Sequence, residues 1–301
     1  MFGQLQHPMT LWKQALALGL FVLLFAALTG PAATVAETKE YTSAGTAFGF
    51  KLLHQLSKQE PGKNIMFSPY SAYTLLEMVC CGSAGKTAEE MKRVLGLEDV
   101  SIDSVGPRNR LLSNENKRNG KGVDLSIANS LWYRKGITLK PEFLRASTDF
   151  FQATVEALDF NDTSAAGIIN SWSSRSTHGR IGQVVVGPFS SMTGMYLANA
   201  VYFKGTWARK FDEQLTHDGI FHLRDGKQKQ VRMMAFGYKA PLSYQKGAGF
   251  QAVRLPYGSE DVAMTIFLPG QSSTVEELLS WLGSGGSQDA TFDSYSHQIE
   301  I

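Results

Sequence analysis

Apolar residues recur along this chain with two periods, one near that of a helix and one of two residues. The two patterns interleave, so mixed helix and strand is expected. Phe48, Leu52, Leu53 and Leu56 share a helical face, and Pro61-Gly62 ends that helix. Ser68-Pro69 supplies an N-cap and then a residue whose fixed φ suits a first turn. Ala72, Leu75, Leu76, Val79 and Cys80 continue as one stripe until Gly82. Thr87 with Glu90 reads as a capping box for a third helix, whose Met91, Val94 and Leu95 face inward before Gly96. From Val123 to Tyr133 the pattern alternates, as in a strand, and Lys135-Gly136 turns the chain. Pro141 opens a helix carrying Phe143 and Leu144, a strand follows around Val155, and a helix holds Ile168, Ile169 and Trp172. The run from Met195 to Phe203 is almost wholly apolar, which predicts a strand covered on both faces in the middle of a sheet. Val262 to Leu268 is a further strand, and Thr274 to Leu282 a short helix. Ser284 to Ser287 reads as a flexible linker, and His297 to Ile301 as a last strand. No repeat and no break in composition marks a second domain.

Composition narrows the function classes. With 301 residues, 43% hydrophobic and 19% charged, the chain can bury a sizeable core. A net charge of +2 argues against a nucleic-acid binder. Cys80 and Cys81 are the only cysteines, which excludes a disulfide scaffold and a cysteine-ligated metal site. Lys13, the apolar run Ala15 to Leu28 and the small residues up to Ala36 have the order of a secretory signal peptide. The run is shorter than the ~20 residues that cross a bilayer, so export rather than anchoring is expected. Cleavage is placed after Ala36, with Ala33 as the alternative, leaving residues 37–301 as one domain outside the cell. Asn161-Asp162-Thr163 is a sequon for N-glycosylation. Between residues 106 and 122, Arg108, Arg110, Lys117, Arg118 and Lys121 face a single acid, Glu115, in a loop or exposed short helix. They form either a solvated surface or a weak site for a sulfated polysaccharide.

Enzyme motifs come close without closing. Gly82-Ser83-Ala84-Gly85-Lys86-Thr87 lacks the first glycine of a phosphate-binding loop, where Cys80 stands, and follows a helical rather than a strand pattern. Cys81 to Gly85 misses a nucleophile elbow by its first glycine. The six histidines have no metal-ligand spacing, and no cofactor is implied. A nucleotide-using or hydrolytic enzyme therefore rests on near-misses alone.

A collinear set of motifs resembles the serpin family. It begins with Asn64-Ile65-Met66-Phe67-Ser68-Pro69-Tyr70-Ser71 and Gly82-Ser83-Ala84-Gly85-Lys86-Thr87-Ala88-Glu89-Glu90-Met91. It continues through Ala128 to Trp132, Ile169 to Trp172, Thr177 and Arg180-Ile181. Leu197 to Trp207 is close to the most specific internal motif, and Phe211, Thr216, Phe221, Met233-Met234 and Leu255-Pro256-Tyr257 follow in register. The resemblance spans residues 44 to 282. It implies a mixed α/β fold of three β-sheets with eight or nine helices in one domain. It also implies a non-enzyme, monomeric inhibitor whose partner is a serine, less often a cysteine, protease. The protease cuts an exposed loop, is held as an acyl-enzyme, and is carried along when the loop inserts into the main sheet as a strand.

Ser68 and Ser71 match the family's shutter, where strands part, and Asn199 lies in the strand that meets them. An amide inside an apolar run independently needs polar partners such as those hydroxyls; Ser68 also reads simply as a helix cap. Trp207 matches the breach, where insertion starts, or is a core aromatic. After Leu282 no residue matches the hinge or the reactive loop. The 301-residue chain is therefore expected not to trap a protease, as a fragment of a working gene or a degenerate product. A non-inhibitory carrier, chaperone or storage role is the alternative.

Overall fold

The computed structural model describes residues 21–22, 32–116, 119–120, 122–223, 226–237, 240–247, 249–258, 262–270, 272–286 and 296–299. Most of the apolar leader, Lys117, Arg118 and Lys121 lie outside them. The described residues form two compact units. One runs from Ser68 to Lys204 and includes the N-terminal helix up to Gly49; the other takes Phe50–Phe67 and the chain from Gly205.

The first unit opens with α1 (Ala32–Gln59), longer than its apolar stripe predicted. It starts upstream of Ala36, so cleavage there would remove its first turn. Ser68 caps α2 (Pro69–Cys81), and Gly82 closes it. Helix α3 (Gly85–Leu95) is capped by Ala84, not Thr87. The expected capping box fails because the helix begins three residues early, placing Thr87 inside its first turn. Val94, expected to face inward, is 59% exposed, while Leu95 is buried. Helix α4 (Ile102–Asn116) takes up the first part of the polar segment.

A four-stranded sheet follows, built from β2 (Asn119–Gly120), β3 (Val123–Arg134), β4 (Thr154–Leu158) and β5 (Met195–Gly205). β4 pairs with β3 in parallel, Leu131 opposite Val155, and β5 also pairs with β3. Helix α5 (Pro141–Arg145) and a π-helical turn (Ala146–Phe150) connect β3 to β4. Helix α6 (Ala165–Ser176) precedes β5. Strand alternation explains the two cores of this unit. Trp132, Ala198 and Ala200 pack with Ile169 and Trp172 of α6. Leu131, one residue away and so on the opposite face, packs with Met78, Phe143 and Phe151, and Leu197 joins them. β3 is thus the strand covered on both faces: Leu131 and Trp132 are 0% and 1% exposed. The expectation for β5 is corrected. Among the described residues it pairs with β3 alone, and most of it is half-buried, because it lies at the sheet's edge.

In the second unit, β6 (Asp212–His222) and β7 (Gln228–Ala235) form a hairpin. A five-stranded sheet runs in the order β1 (Phe21–Val22), β10 (Val262–Pro269), β9 (Phe250–Tyr257), β8 (Ala240–Gly247), β11 (Ser296–Ile299). Its central strands also alternate between two cores. Ala252 and Phe267 pack on Leu278 of α7 (Val275–Trp281) and on Phe50, and Val253 and Leu255 pack on Phe236 and Leu242. Thr274 and Glu277 cap α7 reciprocally. The glycine-serine stretch read as a flexible linker instead continues α7 as a π-helical turn, Leu282–Gly286. The described residues hold three sheets and seven α-helices, so the multi-sheet α/β architecture is as expected.

Candidate functional site

Ser68 sits at the N-terminus of α2 with extended backbone, which aims its hydroxyl back along the first turn. Its Oγ accepts from the Ser71 backbone N–H at 3.2 Å and from Ser71 Oγ at 2.8 Å. The cap reading is therefore satisfied and uses both serines.

Asn199 lies on β5 and finds its polar partner on the neighbouring strand. Its Nδ2 donates to Asn129 Oδ1 at 2.7 Å, and Asn129 Nδ2 donates onward to the Phe151 carbonyl at 2.7 Å. The need for an amide partner was correct, but the partner is Asn129. Among the described residues no hydrogen bond joins Asn199 to Ser68 or Ser71, and Asn199 Oδ1 is buried without a partner. The reason is the strand pairing: β5 lies beside β3, which brings Asn129 within hydrogen-bond reach of Asn199. Asn129 was visible only as one polar position in an alternating strand, and nothing in that pattern marked it as a partner.

A second tie crosses the same pair on its other face. Trp132 Nε1 donates to Ser130 Oγ at 2.9 Å, and Ser130 Oγ donates to the Ala198 carbonyl at 3.3 Å. A third closes the end of β3. Arg134 donates from Nε to the Thr193 carbonyl, from Nη2 to the Ser190 carbonyl and from Nη1 to Asn161 Oδ1, while its guanidinium lies 5.4 Å over the Phe160 ring. Side chains thus join β3 to β5 at Asn199 and at the Ala198 carbonyl, while Arg134 ties the end of β3 to the segment before β5 and to Asn161.

Trp207 forms a bridge with Tyr257, stacks on that ring at 4.3 Å, and meets Phe211 edge-on at 5.9 Å. These are the contacts of a packing aromatic within the five-stranded-sheet unit. Of the basic cluster, Arg108 is half-buried in α4, and exposed Arg110 donates to the Asp149 carbonyl at 3.0 Å. Lys117, Arg118 and Lys121 lie outside the described residues.

The near-miss enzyme loop is a helix–turn–helix. Gly82 ends α2, Gly85 turns with φ +56°, and Ser83 Oγ is bonded back to the Cys80 carbonyl at 2.8 Å. No strand precedes it, so neither a phosphate cradle nor an exposed nucleophile is formed. Burial raises the Cys80 thiol, and burial with the neighbouring Cys80 and Glu77 pushes Cys81 up to about 12. Both thiols are protonated at neutral pH. Among the described residues no His, Cys, Asp or Glu cluster could hold a metal ion, and no helix is long and apolar enough to cross a membrane.

A polar knot beneath α2 escaped the sequence reading. Asn109 Nδ2 donates to Glu77 Oε2 at 3.0 Å and lies 3.5 Å from Thr74 Oγ1, and all three residues are at most 1% exposed. A glutamate beside an apolar helical stripe was the available signal.

The family model for Serpin (serine protease inhibitor) matches residues 43–300. The chain belongs to the serpin family. It is 32% identical over 259 residues to the leukocyte elastase inhibitor of Bos taurus, covering 81% of this chain and 68% of that protein. It is 35% identical over 231 residues to the Xenopus tropicalis leukocyte elastase inhibitor, covering 76% of this chain and 61% of that protein. Among solved structures, Arabidopsis AtSerpin1 in its native stressed conformation aligns with a TM-score of 0.75 at 29% identity, covering 91% of this chain and 70% of that one. This serpin chain therefore spans between three-fifths and seven-tenths of the length of these relatives. Serpins act on proteases as inhibitors and are generally not enzymes themselves.

Proposed function

We infer that this chain is the sheet-bearing part of an exported serpin that inhibits a serine protease by strand insertion. The observation that carries the reading is the outer edge of β5. Among the described residues β5 pairs with β3 alone, and side chains of β3 bond to Asn199 and to the Ala198 carbonyl of β5. A strand added at that edge extends the sheet through main-chain hydrogen bonds, the mode of strand addition. Two relatives are named as leukocyte elastase inhibitors, so that protease is the first to try.

The test is an SDS-resistant complex between leukocyte elastase and the protein carried through the reactive loop. A covalent band supports inhibition. Cleavage without a trapped complex overturns it and favours a carrier, chaperone or storage serpin. Ser68, Ser71 and Asn199 keep the proposed shutter role, with Asn129 added, and Trp207 the proposed breach role. Export is checked separately, by finding Glu37 at the N-terminus of chain recovered from the medium.

A further inference from the structure

We propose that Asn161 is a carbohydrate attachment site, an inference that rests on the export reading above. Asn161-Asp162-Thr163 is the only Asn-x-Ser/Thr sequence in the chain. The structure places it in the turn between β4 and α6, where residues 161 to 164 are all exposed. Buried Phe160 anchors that turn, and two side chains shape it: Asp159 Oδ1 accepts from the Asn161 N–H at 3.0 Å, and Asp162 Oδ1 from the Ser164 N–H at 2.8 Å.

The decisive contact is the one to Arg134. A guanidinium carries only donors, so it must face the oxygen of the Asn161 amide. Arg134 Nη1 sits 3.3 Å from Asn161 Oδ1. That leaves Nδ2, the nitrogen that would carry the sugar, outside the Arg134 contact on an exposed residue. A substituent on Nδ2 leaves Oδ1 in place, so the Arg134 contact and a glycan are compatible.

The donor is a lipid-pyrophosphate-linked oligosaccharide presented by a membrane-bound transferase. Asn161 Nδ2 attacks the anomeric carbon, the carbon–oxygen bond to the pyrophosphate breaks, and a carbon–nitrogen bond forms. The amide gives up one proton, and the lipid pyrophosphate leaves.

The test is translation of the full chain with microsomes, in parallel with the same chain behind a leader of proven function. A gel shift reversed by an amidase that removes N-linked glycans is expected. N161Q and T163A should abolish the shift, and T163S should retain it. If only the leader-bearing chain is taken up and glycosylated, Asn161 stands as the acceptor and the export reading falls. If the leader-bearing chain enters the lumen unshifted, or N161Q still shifts, the proposal is overturned.

Discussion

At the level of single residues, the amide of Asn129 matters most. It accepts from Asn199 and donates to the Phe151 carbonyl, and it is 8% exposed. Asn129→Ala strands two buried groups, at about 1–3 kcal/mol each. Asn199→Ala strands only one buried group, Asn129 Oδ1, at about 1–3 kcal/mol, and also removes an oxygen that had no partner. Urea titration of the two variants should place Asn129→Ala well below Asn199→Ala; equal midpoints would refute the pairing. Cys81 makes a second prediction. Its folded value is raised from an ordinary 9.0 to about 12, by burial first and by Cys80 and Glu77 next. The folded state therefore prefers the neutral thiol. Stability from this group is complete below pH 9 and is lost as the pH rises toward 12, because the unfolded chain ionises first. Tyr73, raised by burial and by Glu77, acts in the same direction. Thermal melts should fall across that window, and Cys81→Ala should shrink the fall. Such partners were not legible in the sequence: periodicity shows that Asn129 and Glu77 lie on strand and helix, but a hydrogen bond depends on which neighbour the register brings alongside.

Elements were legible where local chemistry decides them. Ser68-Pro69, Gly82, Gly96 and Gly136 all act where expected, since capping and turn geometry are set within a few residues. The failures were tertiary. Thr87 loses its cap role to an earlier start, and among the described residues β5 lies at an edge although its sequence is as apolar as a central strand's. The close approach of α4 to the π-helical turn was also hidden. A Cβ on Gly106 would lie 2.3 Å from the Phe150 ring. Gly106→Ala should therefore destabilise by about 1–3 kcal/mol, although alanine ordinarily favours a helix. A melting temperature at or above that of the parent chain would show that Phe150 yields freely.

For the molecule as a whole, the fold family was legible because motifs in one order constrain topology more than any single residue does. The role of the site was less so, because shutter and breach describe a motion whereas capping and stacking describe the resting contacts. The position of β3 has a measurable consequence. Leu131 and Trp132 have apolar clusters above and below and paired strands to either side. Their amide protons can reach water only when the whole four-stranded sheet comes apart. In deuterium oxide these two amides should be among the last to exchange. Their rate reports the global opening of the unit, whereas the β6–β7 hairpin, with Leu215 and Ile220 43% and 52% exposed, should label early.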